Sequence, residues 1–375
     1  MSALTFDTLP DAARAYDAWL RDAALPLWAR AGVEPGSHAF RDALALSAAP
    51  AGAVRRARVQ ARQVFVYAEA ARHGLGPHWL ELARSGFEGY RAGFARADGL
   101  YSVLADDQGR VQDDTPCLYE QAFTLLAMAA LTRAGGADLR PDAERLLGAL
   151  QARRLPAGGF VELTDQPFQS NAHMHLLEAV MAWEAVGGEP LWRGLTDEIV
   201  ALCLAHFIDP DGGFLREFFD GQWRPAAGDD GRYVEPGHQF EWAWLLTRWA
   251  RARGEPEVEA AARRLLSCGL RGIDRERGVA VNGLWDDLTL RDASTRLWPQ
   301  TEWLKAALIL GREDEALAAA NGLAKYLDVP VRGLWRDKLK PDGTWVEEPA
   351  PASSFYHITL AVLELRDWAA AHGVA

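Results

Sequence analysis

The sequence predicts an all-α protein, an (α/α)6 barrel with short β-hairpins in the loops at one end. Three observations carry this. Six segments each pair a glycine-marked, aromatic-containing turn with a following helix. The helix after each turn is apolar on nearly every side, as a buried helix is. Between these helices lie others whose apolar residues recur at three- and four-residue spacing, as on a half-covered surface.

In chain order the units begin at Gly36, Ala97, Ala157, Asp211, Arg277 and Arg332, the first being the weakest copy. Their interval is roughly 55–65 residues, a little longer than common solenoid periods. QAFTLLAMAAL and FEWAWLL are the apolar type of helix. PDAERLLGALQAR, LWRGLTDEIVALCLAHF and VEAAARRLLSCGL are the amphipathic type. The aromatic stretches around a central DG or GQ read as loops or small hairpins. Two helices per unit give about twelve, in an inner and an outer ring. An open superhelix is the rival arrangement. Closure is favoured because an open array would leave the inner helices of its end units uncovered. The whole chain, 1–375, reads as one domain.

Composition narrows the function. Hydrophobic residues make up 49% of the chain, enough for a large core, and 15 tryptophans can fill it or line a sugar site. The net charge of −12 argues against a nucleic-acid partner, and the run Arg55, Arg56, Arg58, Arg62 reads as a solvated helix face. Three scattered cysteines, Cys117, Cys203 and Cys268, make neither a disulfide framework nor a CxxC pair. The start MSALTFDTLPDAARAYDAWL lacks the pattern of a signal peptide, and no segment is apolar enough to span a bilayer. These features predict a cytoplasmic protein with no membrane partner. There is no HExxH, EF-hand, Walker A, GxGxxG or GxSxG sequence, so neither a metal nor a cofactor is expected.

Polar residues at the starts of the apolar helices point to chemistry. They are Arg62, Glu120, Asn171 and His175, His238 and Glu241, Glu302, and His357. A single histidine on an apolar helix is more often a satisfied core group than a catalyst. A ring of such groups is different, because buried polar groups are costly unless they pair with each other or a ligand. Asn171 and His175, four apart, share a helix face, and His238 and Glu241, three apart, are neighbours. A carboxylate beside an imidazole suits a general base.

The elements QAR (60–62), LYEQAF (118–123), NAHMHLLEA (171–179), PGHQFEW (236–242), WPQTEW (298–303) and FYH (355–357) resemble, in order and over most of the chain, the N-acylglucosamine 2-epimerase superfamily. That resemblance implies an (α/α)6 barrel acting on a small sugar, and a monomer or homodimer is expected. It implies that His238 and His357 are the acid/base pair, with Glu241 tuning His238 and Arg62 holding substrate oxygens. His175 would assist ring opening or bind hydroxyls. Asn171, Trp298, Glu302, Tyr119 and Glu120 would line the pocket.

Proton removal beside an aldehyde needs a base with a pKa near 7, and Arg62 can stabilise the enediolate that forms. One group moving the proton from C2 to C1 gives a ketose, and two groups on opposite faces give an epimer. Conversion of free mannose to fructose is preferred, because no long extra loop is present to cradle a disaccharide. A mannose-6-phosphate substrate stays open through Arg224, Arg232, Arg291 and Arg296 near the expected mouth, although the acidic net charge leans against it. Two other classes remain: a glycoside hydrolase using Glu241 with Glu302 or Asp106 with Asp113, and a non-catalytic sugar-binding barrel.

Overall fold

A computed structural model describes residues 5–162, 168–187 and 190–374. The middle of the hairpin segment that begins at Ala157 and the first four residues lie outside the described residues. The helices are α1 Leu9–Trp19, α2 Leu25–Ala31, α3 Ala57–Arg72, α4 Trp79–Phe94, α5 Leu118–Arg133, α6 Arg140–Gln151, α7 Ser170–Gly187, α8 Pro190–Leu202, α9 Pro236–Arg253, α10 Pro256–Gly269, α11 Trp298–Ile309, α12 Glu313–Leu327 and α13 Ser353–Ala371. A π-helical turn, Leu20–Ala24, joins α1 and α2 into one bent rod.

Around the axis α3 packs on α5, α5 on α7, α7 on α9, α9 on α11, α11 on α13, and α13 back on α3. The barrel is therefore closed. The inner helices bury nearly every side chain, as α5 does along Glu120–Leu131. The outer helices bury one stripe: α4 turns Trp79, Ala83, Gly86, Phe87, Tyr90 and Phe94 inward. Each of α3, α5, α7, α9 and α11 packs on the helix that follows it. The last inner helix, α13, is covered instead by α1, from the other end of the chain. At that seam Trp28 stacks on Trp335 with centroids 4.8 Å apart, and the Trp28 indole donates to Gly333 O at 3.1 Å. No helix among the described residues is long and apolar enough to cross a membrane.

Short antiparallel sheets crown the end where the inner helices begin. They link successive units: Val54–Arg56 pairs with Leu104–Asp106, and Tyr233–Val234 with Gly283–Trp285. Ala43–Leu44 pairs with Ala350–Pro351 across the seam.

A repeated clamp fixes these sheets to the helices. In the first turn of α3, Gln60 accepts from Phe40 N–H at 2.8 Å and donates to Phe40 O at 2.7 Å. Gln121 grips Tyr101, Gln239 grips Leu215 and Gln300 grips Ala280 in the same two-point way. In α7 the position is His173, whose Nε2 accepts from Phe160 N–H at 3.0 Å. Each clamp satisfies backbone groups that burial would otherwise leave unpaired.

Candidate active site

The starts of the inner helices surround a cavity of about 230 Å³. Arg62, Tyr119, Asn171, His175, His238, Glu241, Trp298 and His357 line it, as the sequence predicts. Trp298 lies between the two expected acid/base residues. Its ring centroid is 5.1 Å from that of His238 and 5.6 Å from that of His357. Both imidazoles are thus within reach of one small substrate.

Glu241 acts on His238 through its charge alone, and the hydrogen-bond partner is another residue. The His238 Nδ1 donates to Glu217 at 2.7 Å and lies 3.4 Å from Glu235. Glu217 comes from the preceding hairpin, a residue that helix spacing does not reveal. The Glu241 side chain instead approaches His175 Nδ1, at 3.8 Å, and neither of its oxygens has a hydrogen-bond partner. The cause is the helix rise: residues three apart point within about 60° of each other but lie about 4.5 Å apart along the axis. Here that difference separates the pocket mouth from the deeper barrel.

Two pocket expectations also need correction. Glu302 is fully buried beneath the pocket, where it accepts from His357 Nδ1 at 2.9 Å and pairs with Lys305 at 2.6 Å. Glu120 follows the pocket-lining Tyr119 by one residue, and so turns away to meet Arg58 at 3.4 Å. Of the four arginines expected at the mouth only Arg296 lines the cavity. Arg224 pairs with Asp220 and Arg232 with Asp286, while Arg291 lies over Tyr233 and Trp285. Five lining residues escaped the sequence reading: Glu235, Asp337, Lys338, Ser353 and Ser354. Most come from the hairpins, and a signal for them was available in the residues flanking each inner helix.

The electrostatics divide the two histidines. Burial favours a neutral His238 ring, yet Glu217 and then Glu235 outweigh it and raise the pKa to about 9. Burial holds His357 well below the ordinary histidine value, and Arg62 and Lys305 depress it further. These surroundings favour a protonated His238 and a neutral His357 at neutral pH. Burial also drives His175 down to about 3, and with Glu302 nearby it holds the Glu241 carboxyl well above the usual range. Arg62 donates to Tyr119 Oη at 2.8 Å and to Ser353 O at 3.3 Å, with its guanidinium 4.1 Å from the Phe123 centroid. It has no carboxylate partner among the described residues, so its charge remains available to a substrate oxygen.

Three sets of donors lie within 4.8 Å of one another: His175, Glu178 and Glu241; Glu217, Glu235 and His238; Glu241, Glu302 and His357. Each draws on more than one element or turn, so no sequence motif announces it. In each set a donor is already engaged: Glu178 by Tyr356, His238 by Glu217, and Glu302 by Lys305.

Comparison with known proteins identifies the class as sugar isomerase or epimerase. The family model described as N-acylglucosamine 2-epimerase matches residues 40–361, and the chain belongs to that family. A mannose-6-phosphate isomerase of Rhizobium meliloti (strain 1021) is 45% identical over 368 residues, covering 93% of this chain and 95% of the relative. A D-mannose isomerase of Thermobifida fusca is 29% identical, covering 72% of this chain and 74% of its own. A crystal structure of a D-mannose isomerase superposes with a TM-score of 0.86 at 20% identity, covering 95% and 97% of the two chains. Membership in this family sets aside the hydrolase and the non-catalytic barrel. The buried position of Glu302 also removes it as the second carboxylate expected opposite Glu241.

Proposed function

We propose that this chain interconverts free D-mannose and D-fructose through a cis-enediol, with no metal or cofactor. The carrying observation is the pair of histidines on either side of Trp298, one beside two carboxylates and the other near Arg62 and Lys305. Two titratable groups whose surroundings push them apart are suited to opposite roles. His357 takes the C2 proton of the open-chain aldose. The protonated His238 donates toward the carbonyl oxygen as charge develops there, and Arg62 stabilises the enediolate. His357 then returns its proton to C1 while His238, having protonated O1, takes the hydrogen of the C2 hydroxyl, so that C2 becomes the carbonyl and both rings are restored. Tyr119, Asn171, His175 and the Glu241 carboxyl bind hydroxyls, and Trp298 supplies an apolar floor. Both relatives named above from the sequence comparison carry isomerase names, which supports isomerisation over epimerisation.

A second reading takes mannose-6-phosphate. The name of the 45%-identical relative favours it, as do Arg296 and Lys338 at the pocket. Against it, Arg296 is held by Glu235 and Lys338 by Glu348. One experiment decides: each sugar is incubated with enzyme in deuterium oxide with excess chelator, and products are read by NMR. Deuterium at C1 of fructose from mannose is expected. Deuterium at C2 of glucose would mean epimerisation, turnover of the phosphate alone would favour the second reading, and loss of all turnover to the chelator would overturn the metal-free mechanism.

A further inference from the structure

Two imidazole–carboxylate pairs face one pocket, and they differ in what stands behind the carboxylate. Beside Glu217 is a second carboxylate, Glu235, which also approaches His238 at 3.4 Å. Behind Glu302 is an ammonium: Lys305 Nζ lies 2.6 Å from Glu302 Oε2, and both residues are fully buried. The same ammonium sits 4.0 Å from the centroid of the Trp244 ring. A buried charge is costly unless paired, so a lysine sealed beneath a catalytic pocket calls for an account. Nothing in the mechanism above uses it.

We propose that Lys305 is a positioning residue that holds the charge of Glu302 and thereby keeps the pocket-facing nitrogen of His357 free to accept a proton. The inference rests on His357 being the base. With Lys305 present, Glu302 orients His357 by accepting from Nδ1 but does not draw a second proton onto the ring. His238 has two carboxylates near it and no such ammonium, so it keeps its proton. Lys305 thus sets which histidine is the acid and which is the base.

The other charges around His357 do not duplicate this. From α3 comes Arg62, from α7 His175 and Glu178, and from α9 His238 and Glu241. Glu178 accepts from Tyr356, on the same helix as His357. On α12, Lys325 and Glu315 are turned to Arg277 and Arg275. On α1, Asp17 is held by Arg366. At the rim Asp337 accepts from Ser354 at 2.7 Å. Burial favours a neutral Lys305, but Glu302, Glu241 and Glu178 outweigh it and raise its pKa, so the group stays charged.

The test is an NMR titration of labelled imidazole nitrogens, run beside the pH dependence of kcat/KM, in wild type, K305M and E302Q/K305M. The His357 signal is assigned by its loss in H357N. In K305M the ring should take up a proton about 1 pH unit or more higher than in wild type. The acid limb of kcat/KM should move with it. E302Q/K305M should reverse the shift, since no carboxylate then remains to hold the extra proton. Wild-type titration in K305M, or a shift that persists in the double variant, would overturn the proposal. If K305M does not fold, K305Q, which keeps a polar group beside Glu302 but not the charge, takes its place: a raised titration of the His357 ring is expected, and a wild-type titration overturns the proposal. Turnover of no sugar, with the titration moving as expected, would count against the function and not against Lys305.

Discussion

Glu217 and His238 show how far a single carboxylate can set a reaction. The ordinary histidine value is 6.5, and His238 is held at about 9, so it stays charged across the neutral range and discharges only as pH rises through 9. Replacing Glu217 with Gln removes the strongest of the charges that raise it. The alkaline limb of kcat/KM should then move to lower pH, while the acid limb, set by His357, stays in place. An unmoved alkaline limb in E217Q would mean that Glu235 alone holds the proton. At this scale the sequence disclosed the histidines and Arg62, because a polar residue in an apolar helix stands out. It did not disclose their partners. Glu217 lies 21 residues before His238 and reaches it only through hairpin geometry. Glu302 and Glu120 were legible as polar and buried, but their direction depends on the helical turn.

Five of the inner helices, α3, α5, α7, α9 and α11, use their first turns in a common register set by the clamp. Two residues before the clamp, Tyr119, Asn171 and Trp298 line the cavity. Two residues after it, Arg62, His175, Glu241 and Glu302 lie deeper in the barrel. The repeat was legible in glycines and aromatics, yet the glutamines that build it passed as ordinary polar residues. Gln239 binds Leu215, on the hairpin that carries Glu217. Gln239→Met leaves a buried N–H and C=O without partners, and urea unfolding should report a loss of about 1–3 kcal/mol. Because the hairpin then loosens, His238 should also titrate closer to 6.5 than in wild type. Full stability with an unchanged His238 would show that the neighbouring strands suffice.

The whole ring depends on a seam between distant parts of the chain. The alternation of buried and amphipathic helices made the two rings legible from sequence. It did not reveal that α1 and α2 serve as the outer partner of α13, because that pairing joins units at opposite ends of the repeat. Trp28 is central to the seam, buried against Trp335 and Phe355. Trp28→Ala should lower unfolding free energy by about 3–5 kcal/mol, the usual range for a truncated core aromatic. A denaturation midpoint equal to wild type would show that the ring closes without this contact.

The seam also has a consequence for how the protein is made. Trp28 bonds to Gly333, 305 residues further along the chain. A ribosome adding roughly 5–20 residues per second needs on the order of 15–60 s to cover that interval. Throughout it the inward face of α1 and α2, with Tyr16, Trp19 and Trp28, has no native surface to cover it. A nascent chain in that condition is a natural client for a holding chaperone. The pace of translation, and not only the final stability of the ring, then governs how much of the protein reaches its closed form.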